Sequence, residues 1–152
     1  MTTSKGGIEF IKRFEGLRLQ AYRDSAGIWT IGYGSTFYPD GIKVKAGNAI
    51  TKKQADEMFL RMLTDFERKV KHRITRELKQ NEFDAAVSFC YNAGTGYRDK
   101  KGKYVEYKIW ENINNKDEHI KEYWETLAIT AGGKVLKGLE KRRAAEVAMY
   151  LQ

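Results

Sequence analysis

The chain has 152 residues, 41% of them hydrophobic and only one of them proline, a composition that fits one compact, largely helical unit with a real core and excludes a disordered chain. Its formal net charge of +8 draws it toward polyanions such as nucleic acid, acidic membrane or anionic wall polymer, but the lysines are scattered and no recognised nucleic-acid motif accompanies them. Cys90 is the only cysteine, so no internal disulfide is available, and His72 and His119 lack a nearby ligand cluster, which argues against a metal site and against Cys–His catalysis.

In chain order, Met1 to Gly7 lacks the apolar core of a secretory signal, and no apolar run reaches the length of a membrane span; the expected location is the cytoplasm of the cell that makes the chain. Ile8, Phe10, Ile11, Phe14 and Leu17 then recur at three- and four-residue steps, the period of one helix face, and Gly16 sits where that helix should end. Glu15 emerges from the edge of the stripe. Partial burial and the negative end of the helix dipole both push its carboxyl toward the protonated form. From Leu19 the pattern becomes period two, with Trp29, Ile31 and Tyr33 on one side and Ile28 and Thr30 on the other. Asp24-Ser25-Ala26-Gly27 is a turn composition, so the segment reads as a hairpin with Asp24 entering the turn and Thr30 on the returning strand.

Pro39-Asp40-Gly41 marks a further turn, Ile42 to Lys45 reads as a short third strand, and the sheet is expected to end at Ala46-Gly47-Asn48. Thr51 and Gln54 form a capping-box pattern, and Met58, Phe59, Met62, Leu63, Phe66 and Val70 continue a helical stripe toward Arg73. A second long helix, between Leu78 and Asn92, turns Phe83, Ala86, Val87 and Cys90 inward, which makes Cys90 an inert core thiol. Residues 97–107 show no clear periodicity, and Arg98-Asp99-Lys100-Lys101-Gly102-Lys103 within them reads as an exposed loop. Ile120, Tyr123, Trp124 and Leu127 make another amphipathic helix, Gly132-Gly133 breaks the pattern, and Leu136, Leu139, Arg143, Val147 and Tyr150 follow at helical spacing. Arg143 lies inside that apolar stripe. Either it has an acidic partner, or its stem lies along the core edge while its head reaches water.

Taken singly, Glu15, Asp24 and Thr30 are an ordinary helix acid, a turn aspartate and a strand threonine. Together, a protonated carboxylic acid and a solvated carboxylate are what glycosidic bond hydrolysis requires. The spacing Glu15, Asp24, Thr30, followed by Ile31-Gly32-Tyr33-Gly34, resembles the catalytic signature of the phage-type lysozymes, glycoside hydrolase family 24. Ser88 to Gly96 resembles the family's central-helix segment, and Gly132 to Arg143 its C-terminal one. The resemblance implies an α+β, mainly helical, lysozyme-like two-lobed fold: a lobe with a small antiparallel sheet over 17–50, a connecting helix over 51–73, and a helical lobe from 1–16 and 74–152. The cleft between the lobes is its expected active site.

The activity it implies is hydrolysis, with inversion, of the β-1,4 bond between N-acetylmuramic acid and N-acetylglucosamine in peptidoglycan, leading to host lysis. Glu15 is then the general acid, and Asp24 and Thr30 hold and activate water. Arg143, with Arg142 in reserve, pairs with Glu15, and Asn92 contacts the glycan. Gly34 lets backbone approach the sugar, although plain hairpin geometry also accounts for it. No cofactor or metal is implied. The expected partners are glycan strands and a separate holin-type membrane-permeabilising protein, with no nucleic acid, for a monomer that stays in the host cytoplasm until release. Two departures from the family pattern concern the helical lobe: its short serine- and leucine-rich helix start is missing near Tyr97, and Ala128 stands where it commonly has tryptophan, with Trp124 one turn earlier. A lytic transglycosylase, which needs no activated water, a silent wall-binding module and a basic nucleic-acid-binding protein are the rival readings.

Overall fold

The computed structural model describes all 152 residues, and by internal contacts they divide into two compact units, Ile8–Asp65 and Met1–Gly7 with Phe66–Gln152. In the first unit, helix α1 (Lys5–Glu15) ends as its pattern requires, with the Gly16 N–H bonded to the Lys12 carbonyl at 2.9 Å. Strands β1 (Arg18–Arg23) and β2 (Trp29–Gly32) pair antiparallel, with Tyr22 opposite Thr30 and Arg23 opposite Trp29, and a register irregularity between Arg18 and Tyr22. The third strand expected over Ile42 to Lys45 does not form. Its backbone forms the isolated bridge Phe37↔Lys43, through Val44 N–H to the Thr36 carbonyl and Tyr38 N–H to the Ile42 carbonyl, rather than a continuous ladder. Val44 is drawn into a small core with Ile31 and Met58 while Ile42 stays exposed, so packing on one side chain takes the place of a continuous ladder.

Helix α2 (Lys52–Arg73) starts at the expected capping box: Gln54 N–H donates to Thr51 Oγ1 at 3.1 Å, and Thr51 N–H to Gln54 Oε1 at 2.8 Å. Satisfying two otherwise orphaned donors fixes the start of a helix whose Ala55, Met58, Phe59 and Leu63 are buried.

The second unit is built on α3 (Gln80–Ala93), which is buried without interruption from Phe83 to Tyr91 and packs on the final helix α6 (Lys137–Tyr150). A helix buried on every side is the central helix of its unit, and its buried polar groups Asp84 and Ser88 are hydrogen-bonded. The N-terminal segment is tied to this unit by Glu67, which accepts from both Thr3 N–H and Thr3 Oγ1 at 2.7 Å, and by Asp84, which accepts from Ser4.

Residues 97–107 form a second hairpin, β3 (Gly96–Arg98) with β4 (Tyr104–Glu106), whose exposed tip is the loop expected at Asp99 to Lys103. The Asp99 carboxylate accepts Lys101 N–H and Lys103 N–H, both at 2.9 Å, and this closes the turn that the charged composition obscured. Short helices α4 (Ile109–Asn114) and α5 (Ile120–Glu125) follow; the first has no counterpart in the sequence reading, and Leu127 falls beyond the second. Gly132 and Gly133, with φ of 58° and 76°, make the two-residue turn between β5 (Thr130–Ala131) and β6 (Lys134–Val135). Two successive positive φ values are what glycine supplies in such a tight hairpin.

Candidate active site

Glu15 is the last residue of α1 and is partly buried. Its carboxylate lies against the backbone just beyond β2. A β-carbon placed on Gly34, where φ is 95°, would stand 3.3 Å from Glu15 Oε2. Gly34 is therefore required twice, by a backbone conformation that L side chains rarely adopt and by the acid beside it.

Asp24 leaves β1 and turns its carboxylate back onto the turn. Its Oδ1 accepts the N–H groups of Ala26 and Ile28, each at 2.9 Å, and its own N–H donates to the Ile28 carbonyl at 3.0 Å. Oδ2 makes no hydrogen bond within the chain and stays available to a ligand. Thr30, two residues beyond Ile28, is 3% exposed, and its hydroxyl donates to that same carbonyl at 2.9 Å. One peptide-bonded residue, Ile28, thus orients both side chains. With its proton committed to Ile28, the Thr30 oxygen is left to accept.

Tyr22 was not singled out from sequence. It faces Thr30 across the hairpin, and the Arg18 guanidinium lies over its ring at 4.6 Å. Burial pushes its phenol above the usual range; Arg18 opposes that shift, while the charges of Glu15 and Asp24 reinforce it. The ring therefore lies within electrostatic reach of both carboxylates. The available signal was strand alternation counted back from Asp24, since the pairing is regular at Tyr22 and Arg23 and the irregularity lies further back toward Arg18.

The remaining candidates belong to the other unit. Arg143 is completely buried: Nε donates to the Leu127 carbonyl at 2.9 Å, Nη1 to Glu146 Oε2 at 2.7 Å, and Nη2 to Asn92 Oδ1. The guanidinium also lies 4.8 Å from the Phe89 ring centroid. The alternative with the head in water is ruled out. Where the resemblance gives Arg143 the catalytic glutamate as its partner, the structure gives it Glu146, one turn further along α6. Glu146, itself fully buried, also accepts Ser88 Oγ at 2.8 Å, Trp124 Nε1 at 3.1 Å and Arg142 Nε at 3.2 Å. Its spacing of three and four residues from the two arginines was the overlooked sign. Asn92 is exposed at the end of α3, its amide oxygen held by Arg143 and its amide nitrogen without a bond in the chain. A donor fixed in this way suits a carbonyl or hydroxyl ligand.

Two side chains play structural parts. Tyr33 is buried against Phe59, with its hydroxyl 3.3 Å from Asp56. The Cys90 thiol is buried, and that burial pushes it up to about 12, far from the reactive range.

Residues 12–146 match the phage lysozyme family model. The chain belongs to the phage lysozyme family. It is 31% identical to the endolysin of Acyrthosiphon pisum secondary endosymbiont phage 1, over 99% of this chain and 98% of that protein. Identity to the Bacillus phage PZA endolysin is 35% over 99% of this chain, which spans 55% of that protein. Among solved structures, the endolysin from Escherichia coli O157:H7 phage FAHEc1 superposes with a TM-score of 0.83 at 35% identity, over 100% of this chain and 94% of that one. The muramidase domain of SpmX from Asticaccaulis excentricus gives 0.80 at 29% identity, over 99% and 98% of the two chains. The α+β, mainly helical lysozyme fold expected from sequence is the fold found, and the enzyme is a lysozyme-type glycosidase that degrades peptidoglycan.

Proposed function

We propose that Glu15 is the general acid that protonates the glycosidic oxygen between N-acetylmuramic acid and N-acetylglucosamine, and that Asp24 and Thr30 hold the attacking water. The observation that carries this reading is the shared anchoring of Asp24 and Thr30 on Ile28. It leaves one carboxylate oxygen and one hydroxyl oxygen as acceptors on the two sides of the same hairpin turn. A water that donates one proton to each keeps a lone pair for the anomeric carbon, and Asp24 takes up its proton as the C–O bond forms. The leaving oxygen is protonated by Glu15. Attack from the face opposite the leaving group inverts the anomeric centre, for which the two carboxyl groups stand about 6.5–9.5 Å apart. Substrate, by excluding water, favours the protonated form of Glu15.

Asn92 donates its amide N–H to the glycan, and Arg143 supports catalysis as a positioning residue through Asn92. Gly34 admits the sugar to the backbone beside Glu15. The protein acts as a monomer, accumulates in the host cytoplasm and depends on a separate holin-type protein to reach the wall; in support, no helix of the chain is long and apolar enough to cross a membrane.

The test is release of reducing ends from purified peptidoglycan by wild type, Glu15→Gln and Asp24→Asn, with products weighed and the first-formed anomer followed by NMR. Hydrated ends of inverted configuration, lost in both variants, are expected. Anhydro ends with Asp24→Asn still active would sink the assignment of Asp24 and Thr30 and make the reaction that of a transglycosylase.

A further inference from the structure

The β3–β4 hairpin, where the family's short helix start is missing, brings together three tyrosines from separate elements: Tyr97 on β3, Tyr107 just after β4, and Tyr123 on α5. Tyr97 pairs with Val105 across the hairpin, so strand alternation puts Tyr97, Val105 and Tyr107 on one face. The rings of Tyr97 and Tyr107 lie 5.6 Å apart and only 35° from parallel. Behind them, Tyr107 meets Phe89 of α3 edge-on at 5.4 Å, which fixes it to the core. Tyr123 of α5 and Tyr97 both lie close enough to Tyr107 to act on its phenol electrostatically. Tyr97 itself is 49% exposed.

A lone exposed tyrosine needs no explanation. Here the outer ring is backed by a second ring that the core immobilises, so a ligand stacking on it meets a surface already ordered. Phe89, which anchors the stack, is also the ring that Arg143 covers, and Arg143 holds Asn92. The aromatic stack and the amide donor therefore share one support.

We propose that Tyr97, backed by Tyr107, is a platform on which a pyranose ring of the glycan strand stacks, giving the strand a second point of attachment beside Asn92. The apolar C–H face of an N-acetylhexosamine matches an aromatic face, and the phenol hydroxyls match its polar rim. Such a contact is uncharged and takes the sugar whether or not it bears a peptide. It rests on the reading that this unit binds glycan through Asn92.

A second feature of the hairpin supplies a rival explanation that can be separated by experiment. Its tip carries Arg98, Lys100, Lys101 and Lys103, none with a carboxylate partner, because Asp99 is turned onto the backbone. Attraction of an anionic stem peptide to these cations weakens with salt, whereas stacking does not.

Binding of a β-1,4-linked N-acetylglucosamine hexamer and steady-state hydrolysis of purified peptidoglycan are to be measured for wild type, Tyr97→Ala and Tyr97→Phe, at low and high salt. Tyr97→Ala is expected to weaken hexamer binding and raise KM by roughly 3- to 10-fold with kcat unchanged, while Tyr97→Phe behaves as wild type at both salt concentrations. The platform is refuted by a correctly folded Tyr97→Ala that binds the hexamer as well as wild type, or by a defect that disappears at high salt. A fall in kcat that follows lost thermal stability, unrelieved in Tyr97→Phe, would equally overturn it. If wild type releases no reducing ends, the lysozyme mechanism fails, but the hexamer comparison still decides the platform.

Discussion

Replacing Glu146 with alanine should be among the most destabilising single changes in the protein. The carboxylate accepts from Ser88, Trp124, Arg142 and Arg143, and the two arginines are 3% and 0% exposed. Without it, the fully buried Arg143 guanidinium is left with neutral partners only, and breaking a buried ion pair from one side costs about 3–5 kcal/mol. With an unfolding entropy of about 2.1 cal/mol/K per residue, a chain of this length has about 0.3 kcal/mol/K at its midpoint, so Tm should fall by roughly 10–15 °C. Glu146→Gln keeps the volume but offers one oxygen and an NH2 group to four donors, and should fall between alanine and wild type. Ser88→Ala, which removes one neutral donor, should lower Tm by only about 3 °C. Circular-dichroism melts at neutral pH measure all three. Replacing Glu146 with Leu and both arginines with Met should restore most of the stability, because apolar groups of similar volume often do as well as the ions. It removes the anchor of Asn92, however, so KM should stay high. A Tm for Glu146→Ala within about 3 °C of wild type would refute this account of the network.

Gly34→Ala forces a β-carbon into positive φ beside Glu15 and should lower both Tm and kcat, whereas Gly47→Ala, strained alike at φ 81° but with nothing within 4 Å, should lower Tm alone. Thr30→Val keeps the shape but not the hydroxyl, and if Thr30 orients the water, kcat should drop by about 100-fold or more with KM little changed, measured by reducing-end release. Hydrogen bonds from Lys52 and Lys12 lower the Asp56 carboxyl to about 2 from 3.8. Its contribution is therefore whole above about pH 4 and lost as pH falls through about 2, so the Tm gap between wild type and Asp56→Asn should be small, given its exposure, and should close across that window. Native protein should leave Cys90 unmodified by a thiol reagent at neutral pH and react with it only once unfolded.

What could be read from sequence depended on the range of the interactions. The end of α1 at Gly16, the Thr51–Gln54 box and the turn at Asp24 are set by residues within four positions, and each formed as the local chemistry required. The β3–β4 hairpin escaped because the charges of Arg98 to Lys103 suggested solvent, while the group that closes the turn, Asp99, supplies a hydrogen-bond pattern and not a hydropathy signal. Ile42 to Lys45 misled in the opposite sense. It alternates like a strand, but what its backbone meets is decided by the burial of Val44 against Ile31 and Met58. For Arg143, the apolar stripe raised an acidic partner and the resemblance named Glu15, whereas the acid that Arg143 meets is Glu146, three residues away on its own helix. Tyr22 depends on which residue of β2 it meets, and its pairing with Thr30 is a cross-strand relation that no local motif marks.

The proposed site residues are held in place in two different ways, and the difference decides how each should fail. Asp24 and Thr30 are oriented by one residue of their own turn, through bonds that span two to four positions. Such a device is insensitive to loosening of a distant core, so changes to it should reduce turnover while leaving the melt unmoved. Asn92 is oriented by Arg143, 51 residues away, which is held in turn by Glu146 and by the Leu127 carbonyl. Every substitution that loosens the packing of α3 on α6 reaches it. Defects in glycan binding on that side should therefore accompany lost stability, whereas defects in water activation should occur alone. The separation follows from hydrogen-bond topology, because a contact closed within one turn has few ways to be disturbed and a relay through the buried side chains of Arg143 and Glu146 has many.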